Sequence, residues 1–276
     1  MEISFEFFPP KTKSGLSSLK KTWQTLNQFQ PSYYSVTFGA GGSTRDTTLQ
    51  TVTKMCEAGL SVAPHISGIC ATKTEIDALL TIYQSIGVTK LVVLRGDIPS
   101  GMGIGGGYFQ YAKDLVEYIR ASTGNTFDIE VGCYPEVHPQ AKSSVRDFQA
   151  FKDKVNAGAN GAITQFFFHP DAYYYFIDSC NKAGLTIPVT PGIMPIYDID
   201  RLQRFAGVCG AEIPLWLVKK IDRYQGDQRS IEAFSIDFMT RFCQQLIEIG
   251  VPGLHFYTLN KSSLVVKILE NLGVKV

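Results

Sequence analysis

The chain has 276 residues, 45% of them hydrophobic and 18% charged, with a formal net charge of +1. That balance excludes an intrinsically disordered chain, and the near-zero charge offers no bulk attraction to nucleic acid. No apolar run reaches the length of a membrane span, and the first residues read as a strand rather than a charged leader. The expectation is a cytoplasmic protein with neither membrane nor nucleic-acid partners.

Strand-like runs fall at Ile3–Phe8, Tyr33–Phe38, Leu60–Ile66, Lys90–Arg95, Phe127–Tyr134, Gly161–Phe168, Ile187–Ile193 and Gly253–Leu259. Amphipathic helical stripes alternate with them. Leu16, Leu19, Trp23 and Leu26 share one face; Ile76, Leu79, Leu80 and Tyr83 follow the same spacing, with Thr72 and Glu75 ahead of them as a capping box. Further stripes are Ala112, Leu115, Val116 and Ile119, then Ile231, Phe234 and Phe238, then Leu264, Val265, Ile268 and Leu272. Eight strand–helix units predict a single (β/α)8 TIM barrel over residues 1–276, with a doubly wound open sheet as the alternative. The long stretch between strands seven and eight predicts an extra helix around Trp216–Tyr224. The six cysteines (56, 70, 133, 180, 209, 243) contain no CxxC pair and read as structural thiols.

The first strand, Ser4-Phe5-Glu6-Phe7-Phe8-Pro9-Pro10, carries a lone carboxylate among aromatics. Desolvation disfavours the ionised form, so Glu6 is a candidate proton donor; the alternative is a buried Glu with a structural cation. In this fold the chemistry lies at the C-terminal ends of the strands. Those ends carry Glu6, Thr37 to Gly42, His65, Arg95 to Asp97, Tyr134 to Pro139, Gln165, and His255 to Asn260. No zinc spacing, catalytic triad, Walker loop or dinucleotide fingerprint accompanies them. Arg95, His138 and Lys154, together with Tyr134, suit a large anionic planar cofactor.

The segments SFEFFPP (4–10), VTFGA (36–40), APH (63–65), LRGD (94–97), YPEVHP (134–139), AGANGAITQFFF (157–168), PGIMP (191–195) and HFYTLN (255–260) follow one another in the order found in a known family. On these motifs the chain resembles the bacterial 5,10-methylenetetrahydrofolate reductases, flavoproteins of one-carbon metabolism that supply methyl groups for methionine. The resemblance implies that NADH or NADPH reduces a non-covalent FAD and leaves. Methylenetetrahydrofolate then takes its place and becomes 5-methyltetrahydrofolate, a ping-pong scheme. It implies Glu6 as general acid, Asp97 as a carboxylate beside the flavin, Gln165 and Phe205 on the folate, and Arg201 and Lys261 at the substrate. It places FAD on Thr37, Phe38, His65, Arg95, Gly96, Asp97, Tyr134, His138, Ala141, Asp147 and Lys154, with no metal, and implies a homo-oligomer. Better-known members carry an Asn and an Arg where this chain has Ala150 and Asp153, and a Gln and an Arg where it has Arg201 and Lys261. Phe205 also fits a core role, and Lys154 an exposed helical lysine. The rival readings are a non-catalytic folate- or partner-binding barrel and another flavin barrel, such as a proline dehydrogenase.

Overall fold

A computed structural model of the chain describes residues 1–38, 43–96 and 107–275. One parallel sheet runs through β1 (Glu2–Phe7), β2 (Tyr33–Val36), β3 (Val62–Ser67), β4 (Lys90–Leu94), β5 (Asp128–Cys133), β6 (Gly161–Thr164), β7 (Val189–Thr190), β8 (Gly192–Ile193) and β9 (Gly253–Tyr257). Its order is β7-β6-β5-β4-β3-β2-β1-β9-β8. The two outermost strands in that order are consecutive in the chain, separated only by Pro191. The predicted seventh strand is therefore one barrel stave broken in two. Proline has no N–H to give the ladder, while its carbonyl still accepts from the His255 N–H at 3.0 Å. The cylinder is the expected (β/α)8 barrel.

Around it lie α1 (Lys13–Leu26), α2 (Ser43–Glu57), α3 (Lys73–Ser85), α4 (Ala112–Thr123), α5 (Ser144–Asn156), α6 (Pro170–Lys182), α7 (Ile199–Cys209), α8 (Leu215–Asp222), α9 (Gln228–Ile249) and α10 (Ser263–Asn271). The predicted stripes are the faces that bury: Leu19, Trp23 and Leu26 in α1, Ile76, Leu80 and Tyr83 in α3, Leu115, Val116 and Ile119 in α4. Thr72 and Glu75 form the reciprocal capping box, Thr72 N donating to Glu75 Oε2 at 2.7 Å and Glu75 N to Thr72 Oγ1 at 3.3 Å. Three helices fill the stretch before the last strand. α8 matches the predicted extra helix, α9 carries the Ile231, Phe234 and Phe238 stripe, and α7 holds Phe205, started by Asp198 accepting from the Arg201 N–H at 3.0 Å.

Side-chain alternation sorts the first strand onto two sides. Phe5 and Phe7 face the helices with Tyr34 and Phe256; Phe7 stacks on Tyr34 at 5.5 Å between ring centroids. Ser4 and Glu6 face the barrel interior, where a smaller cluster of Tyr33, Ala63, Val92 and Ile163 fills the axis. Several strands end earlier than predicted, β6 at Thr164 rather than Phe168 and β2 at Val36 rather than Phe38; beyond β6, Gln165 and Phe166 line the first cavity while Phe167 and Phe168 join the core.

Gly192 shows how tightly the broken stave is fitted. A Cβ there would lie 2.3 Å from the Thr164 carbonyl oxygen and 2.5 Å from the Tyr257 ring. Neither neighbour is a flexible end, so Gly192→Ala is expected to cost about 1–3 kcal/mol as an overpacking change. Comparing urea unfolding of the variant with that of the parent checks this, and equal midpoints would contradict the close approach.

Candidate active site

Glu6 sits on the interior side at the C-terminal end of β1, and its carbonyl accepts the Thr258 hydroxyl at 2.7 Å. Its Oε2 lies 3.3 Å from His65 Nε2 and 3.8 Å from His255 Nε2, with the Glu6 side chain only 11% exposed. This corrects the expectation of a carboxylate held neutral by aromatic neighbours. The phenylalanines alternate away, and the side Glu6 shares is lined by imidazoles. Burial pushes the Glu6 carboxyl up, but the neighbouring His255 and His65 imidazoles outweigh it and hold the group down to about 2. His65 is nearer, yet its buried Nε2 finds no well-aligned hydrogen-bond partner among the described residues. His255 is completely buried and so acts through the less screened medium.

Two cavities open at this rim and share Tyr134 as a wall. The first, of about 300 Å³, is bounded by Glu6, His65, Gln165, Phe205, Tyr257 and Leu259 among others. Its floor is polar but satisfied: the Tyr257 hydroxyl donates to the Thr164 carbonyl at 2.6 Å, and the Thr164 hydroxyl accepts from the Gly192 N–H at 2.8 Å. Burial holds the Tyr257 hydroxyl and the Cys133 thiol in their neutral forms. The second, of about 380 Å³, is lined by Arg95, His138, Ala141, Arg146, Asp147 and Lys154 among others.

Most of the predicted residues converge on these cavities. Arg95 reaches Gln140 Oε1 at 2.6 Å. Asp147 accepts the His138 backbone N–H at 3.0 Å, and the His138 ring meets Tyr134 edge-on at 4.5 Å, so Asp147 fixes the loop that carries the ring. Lys154 is not an exposed helical lysine: its ammonium donates to the Gly132 carbonyl, and desolvation lowers its pKa. Asp153 does not neutralise it, because that carboxylate accepts from Gln149 at 2.7 Å. Gly96 adopts φ of +84°, with Ser67 packed where a Cβ would be. Phe205 is no mere core residue; it lines the first cavity, with the Arg201 guanidinium 5.3 Å from its ring. Lys261 lies over the Tyr197 ring at 4.8 Å and is not part of either cavity lining. Thr37 and Phe38 end β2, next to residues 39–42; Asp97 and the glycine-rich stretches 39–42 and 105–106 lie outside the described residues.

The sequence placed His255 to Asn260 at the rim but gave His255, Tyr257 and Leu259 no individual role in the site. The signal was present: in β9, Leu254 and Phe256 alternate with His255 and Tyr257, so the polar pair must face the interior. Leu259 and Asn260 both take left-handed φ, 52° and 59°. That turn lets the Asn260 amide hold both the N–H and the carbonyl of Phe8, at 2.8 and 2.9 Å, which fixes the rim beside Glu6.

The family description "Methylenetetrahydrofolate reductase" matches residues 1–273. The chain belongs to the methylenetetrahydrofolate reductase family. It is 37% identical over 276 residues to the 5,10-methylenetetrahydrofolate reductase of Escherichia coli (strain K12), covering all of this chain and 92% of that protein. It is 35% identical to the probable methylenetetrahydrofolate reductase (NADH) of Oryza sativa subsp. japonica, of which it spans only 48%. An uncharacterized protein from Clostridium thermocellum, described as binding two copies of 5-methyl-5,6,7,8-tetrahydrofolic acid, shares the fold with a TM-score of 0.68 at 14% identity, over 98% of this chain and 93% of that one. Methylenetetrahydrofolate reductases reduce methylenetetrahydrofolate, and that is the reaction class of this chain. Among the described residues no helix is long and apolar enough to cross a membrane.

The Glu6 environment sets a pH dependence for this family member. Its carboxyl ionises more readily in the fold than at the ordinary value of 4.5, so it contributes stability above pH 4.5 that is lost as pH falls toward about 2. Glu6→Gln removes the titrating group. Thermal melts taken through that window are expected to fall more steeply for the parent than for the variant, and parallel slopes would contradict the assignment.

Proposed function

We propose that the protein transfers hydride from a reduced nicotinamide to methylenetetrahydrofolate through a bound FAD, with Glu6 supplying the proton that completes the reduction. The observation that carries this reading is the carboxylate–imidazole group opening into one cavity while a second, cation-lined cavity adjoins it across Tyr134.

The residues present fit FAD. His65 Nε2 is a buried polar atom without an aligned partner, poised at the cavity for a ligand acceptor. Gly96 requires the absence of a side chain at the end of β4. Arg95, His138 and Lys154 gather donors and positive charge in the second cavity, where a diphosphate takes charge-assisted bonds. Ala141 and Ala150 leave the same wall low, while Asp147 holds the loop. When bound, FAD supplies the hydride carrier between the two substrates. Thr37, Phe38 and Asp97 are assigned to the ring end, with the Asp97 charge favouring a cationic folate intermediate.

The chain's own groups then act on the folate. Ring opening to the iminium expels a nitrogen that needs a proton, and Glu6 at the cavity wall delivers it. Gln165 Oε1 accepts from the Phe166 N–H at 3.0 Å, which orients the amide and turns Nε2 toward a pterin acceptor. Phe205 offers a face for the planar ring of either substrate. Arg201 beside it and Lys261 meet the negatively charged tail. Lysine meets a carboxylate as a point charge rather than a two-pronged fork. Both substrates exchange hydride with the same flavin ring, so they use the first cavity in turn, which is a ping-pong order. Folate binding by the Clostridium thermocellum relative accords with this barrel mouth as a folate site.

The direct test is the visible spectrum of the purified protein loaded with FAD. The flavin band is expected to bleach with NADH or NADPH under anaerobic conditions and to return on adding methylenetetrahydrofolate. A band inert to both nicotinamides would overturn the proposal. Glu6→Gln is expected to keep nicotinamide-driven bleaching and to lose the folate-driven return by about 100-fold or more; loss of both steps together would remove Glu6 from the proton role. Arg95→Ala is expected to weaken FAD binding by about 1.5–3 kcal/mol, the worth of a hydrogen bond to a charged group, read by flavin titration of the apoprotein. An unchanged dissociation constant would exclude Arg95 from the cofactor site.

A further inference from the structure

The second cavity holds two cations to which the reading above gives no task. Lys113 joins its lining from the first turn of α4, and Arg146 from the first turn of α5. A helix N-terminus is the positive end of the backbone dipole, so a cation there is disfavoured on local grounds. Here two helices each bring one to the same cavity. Lys113 is half-buried, and among the described residues neither its ammonium nor the Arg146 guanidinium has a hydrogen bond or an ion pair. The carboxylates nearby are engaged elsewhere. Asp114 accepts the Gln110 and Tyr111 N–H groups at 3.0 and 2.8 Å, Asp147 the His138 N–H at 3.0 Å, and Asp153 the Gln149 amide at 2.7 Å. Positive charge drawn partly out of water with no partner is costly, and an anion lying in the cavity offsets that cost.

Position says which part of a ligand these cations meet. Tyr134 belongs to both cavities, and Arg95 follows Leu94, which lines the first. Lys113 and Arg146 line the second cavity alone and stand on the surrounding helices. A ligand running from the first cavity into the second therefore passes Tyr134 and Arg95 before it reaches Lys113 and Arg146. Arg95 and Lys154 already spend donors on the protein, Arg95 on Gln140 and the Gly96 carbonyl (3.2 Å), Lys154 on the Gly132 carbonyl. The outer pair has every donor left. On α5, Arg146, Ala150 and Asp153 all line this cavity at i, i+4 and i+7, one helix face. Asp153 offers no cation where better-known family members carry an arginine, and Arg146 supplies one two turns earlier.

We propose that Lys113 and Arg146 form an anion clamp for the outer phosphate of a nucleotide diphosphate, and that this clamp makes the site select FAD over a mononucleotide flavin. The proposal rests on the reading that this cavity takes the phosphate end of a flavin cofactor. The inner phosphate, common to FAD and FMN, falls to the donors near Tyr134. The outer phosphate, present only in FAD, falls to Lys113 and Arg146. Arginine brings a planar fork to it and lysine a point charge. No bond is made or broken, so the effect is one of binding alone.

The test is titration of the apoprotein with FAD and with FMN, followed by flavin fluorescence, for the parent, Lys113→Ala and Arg146→Ala. The parent is expected to bind FAD more tightly than FMN. Each variant is expected to lose about 10-fold or more in FAD affinity while its FMN affinity stays nearly unchanged. Arg146→Lys, which keeps the charge, is expected to recover part of the loss. Unchanged FAD affinity in both alanine variants, or FAD and FMN falling by the same factor, would overturn the proposal. If Lys113→Ala does not fold, Arg146→Ala, at an exposed position, decides by the same ratio. Calorimetric titration with ADP runs beside these. ADP binding that falls in both variants, with neither flavin taken up by the parent, keeps the clamp and fails the flavin reading. Flavin uptake with the same FAD-to-FMN ratio in parent and variants keeps the flavin reading and overturns the clamp.

Discussion

The pairing of the first strand with the last is the constraint on which the rest of this site depends. β1 and β9 lie side by side over five register pairs, Glu2 with Gly253 through Glu6 with Tyr257. Residues some 250 positions apart in sequence then become neighbours, and polar groups tie them at the rim. The Thr258 hydroxyl holds the Glu6 carbonyl, and the Asn260 amide takes both backbone groups of Phe8. Slip that register by one residue and Glu6 would turn toward the helices while Phe5 or Phe7 turned inward, since strand side chains alternate with a period of two. The apolar outer face of β1, with Phe5 and Phe7 both fully buried, opposes such a slip. The Glu6 carboxylate is thus held in place by hydrophobic burial on the opposite face of its own strand.

Much of this was legible in the sequence. Alternating strand and helix patterns specified the barrel, and the polar residues at strand ends marked the rim, because a parallel barrel buries apolar side chains everywhere else. What was not legible is instructive. Glu6 among phenylalanines reads as a desolvated acid, yet neighbours in sequence along a strand are not neighbours in space. The groups that set its charge, His65 and His255, arrive from β3 and β9. The break at Pro191 was hidden for a related reason: a stave of two short segments still alternates like one strand. The helical run around Phe205 was legible, but its place in the wall of the first cavity was not, because that wall forms only where α7 meets side chains from other strands.

The two cavities are built differently. The cation-lined one draws on α5, β5 and the loop between them, where Asp147 clamps His138 and Lys154 is buried against Gly132. Removing any of these leaves a buried polar group without its partner, which is costly. On the same wall Ala150 is exposed and Asp153 half-buried, and neither takes part in these anchoring bonds.

The outer wall of the first cavity has another character. Arg201 and Phe205 ride on α7, a helix of 11 residues that buries Leu202 and Ala206 and packs Ile199, Phe205 and Cys209 against the core only in part. Val208 in the same helix is 75% exposed, and Leu215 just beyond it 71% exposed. So light an anchorage lets a segment open locally at a free energy well below that of global unfolding. The barrel can therefore keep its strand-borne side chains fixed while this appended helix drifts in sequence. Such a division leaves room for the outer wall of the cavity to change shape without disturbing the carboxylate–imidazole group at the centre.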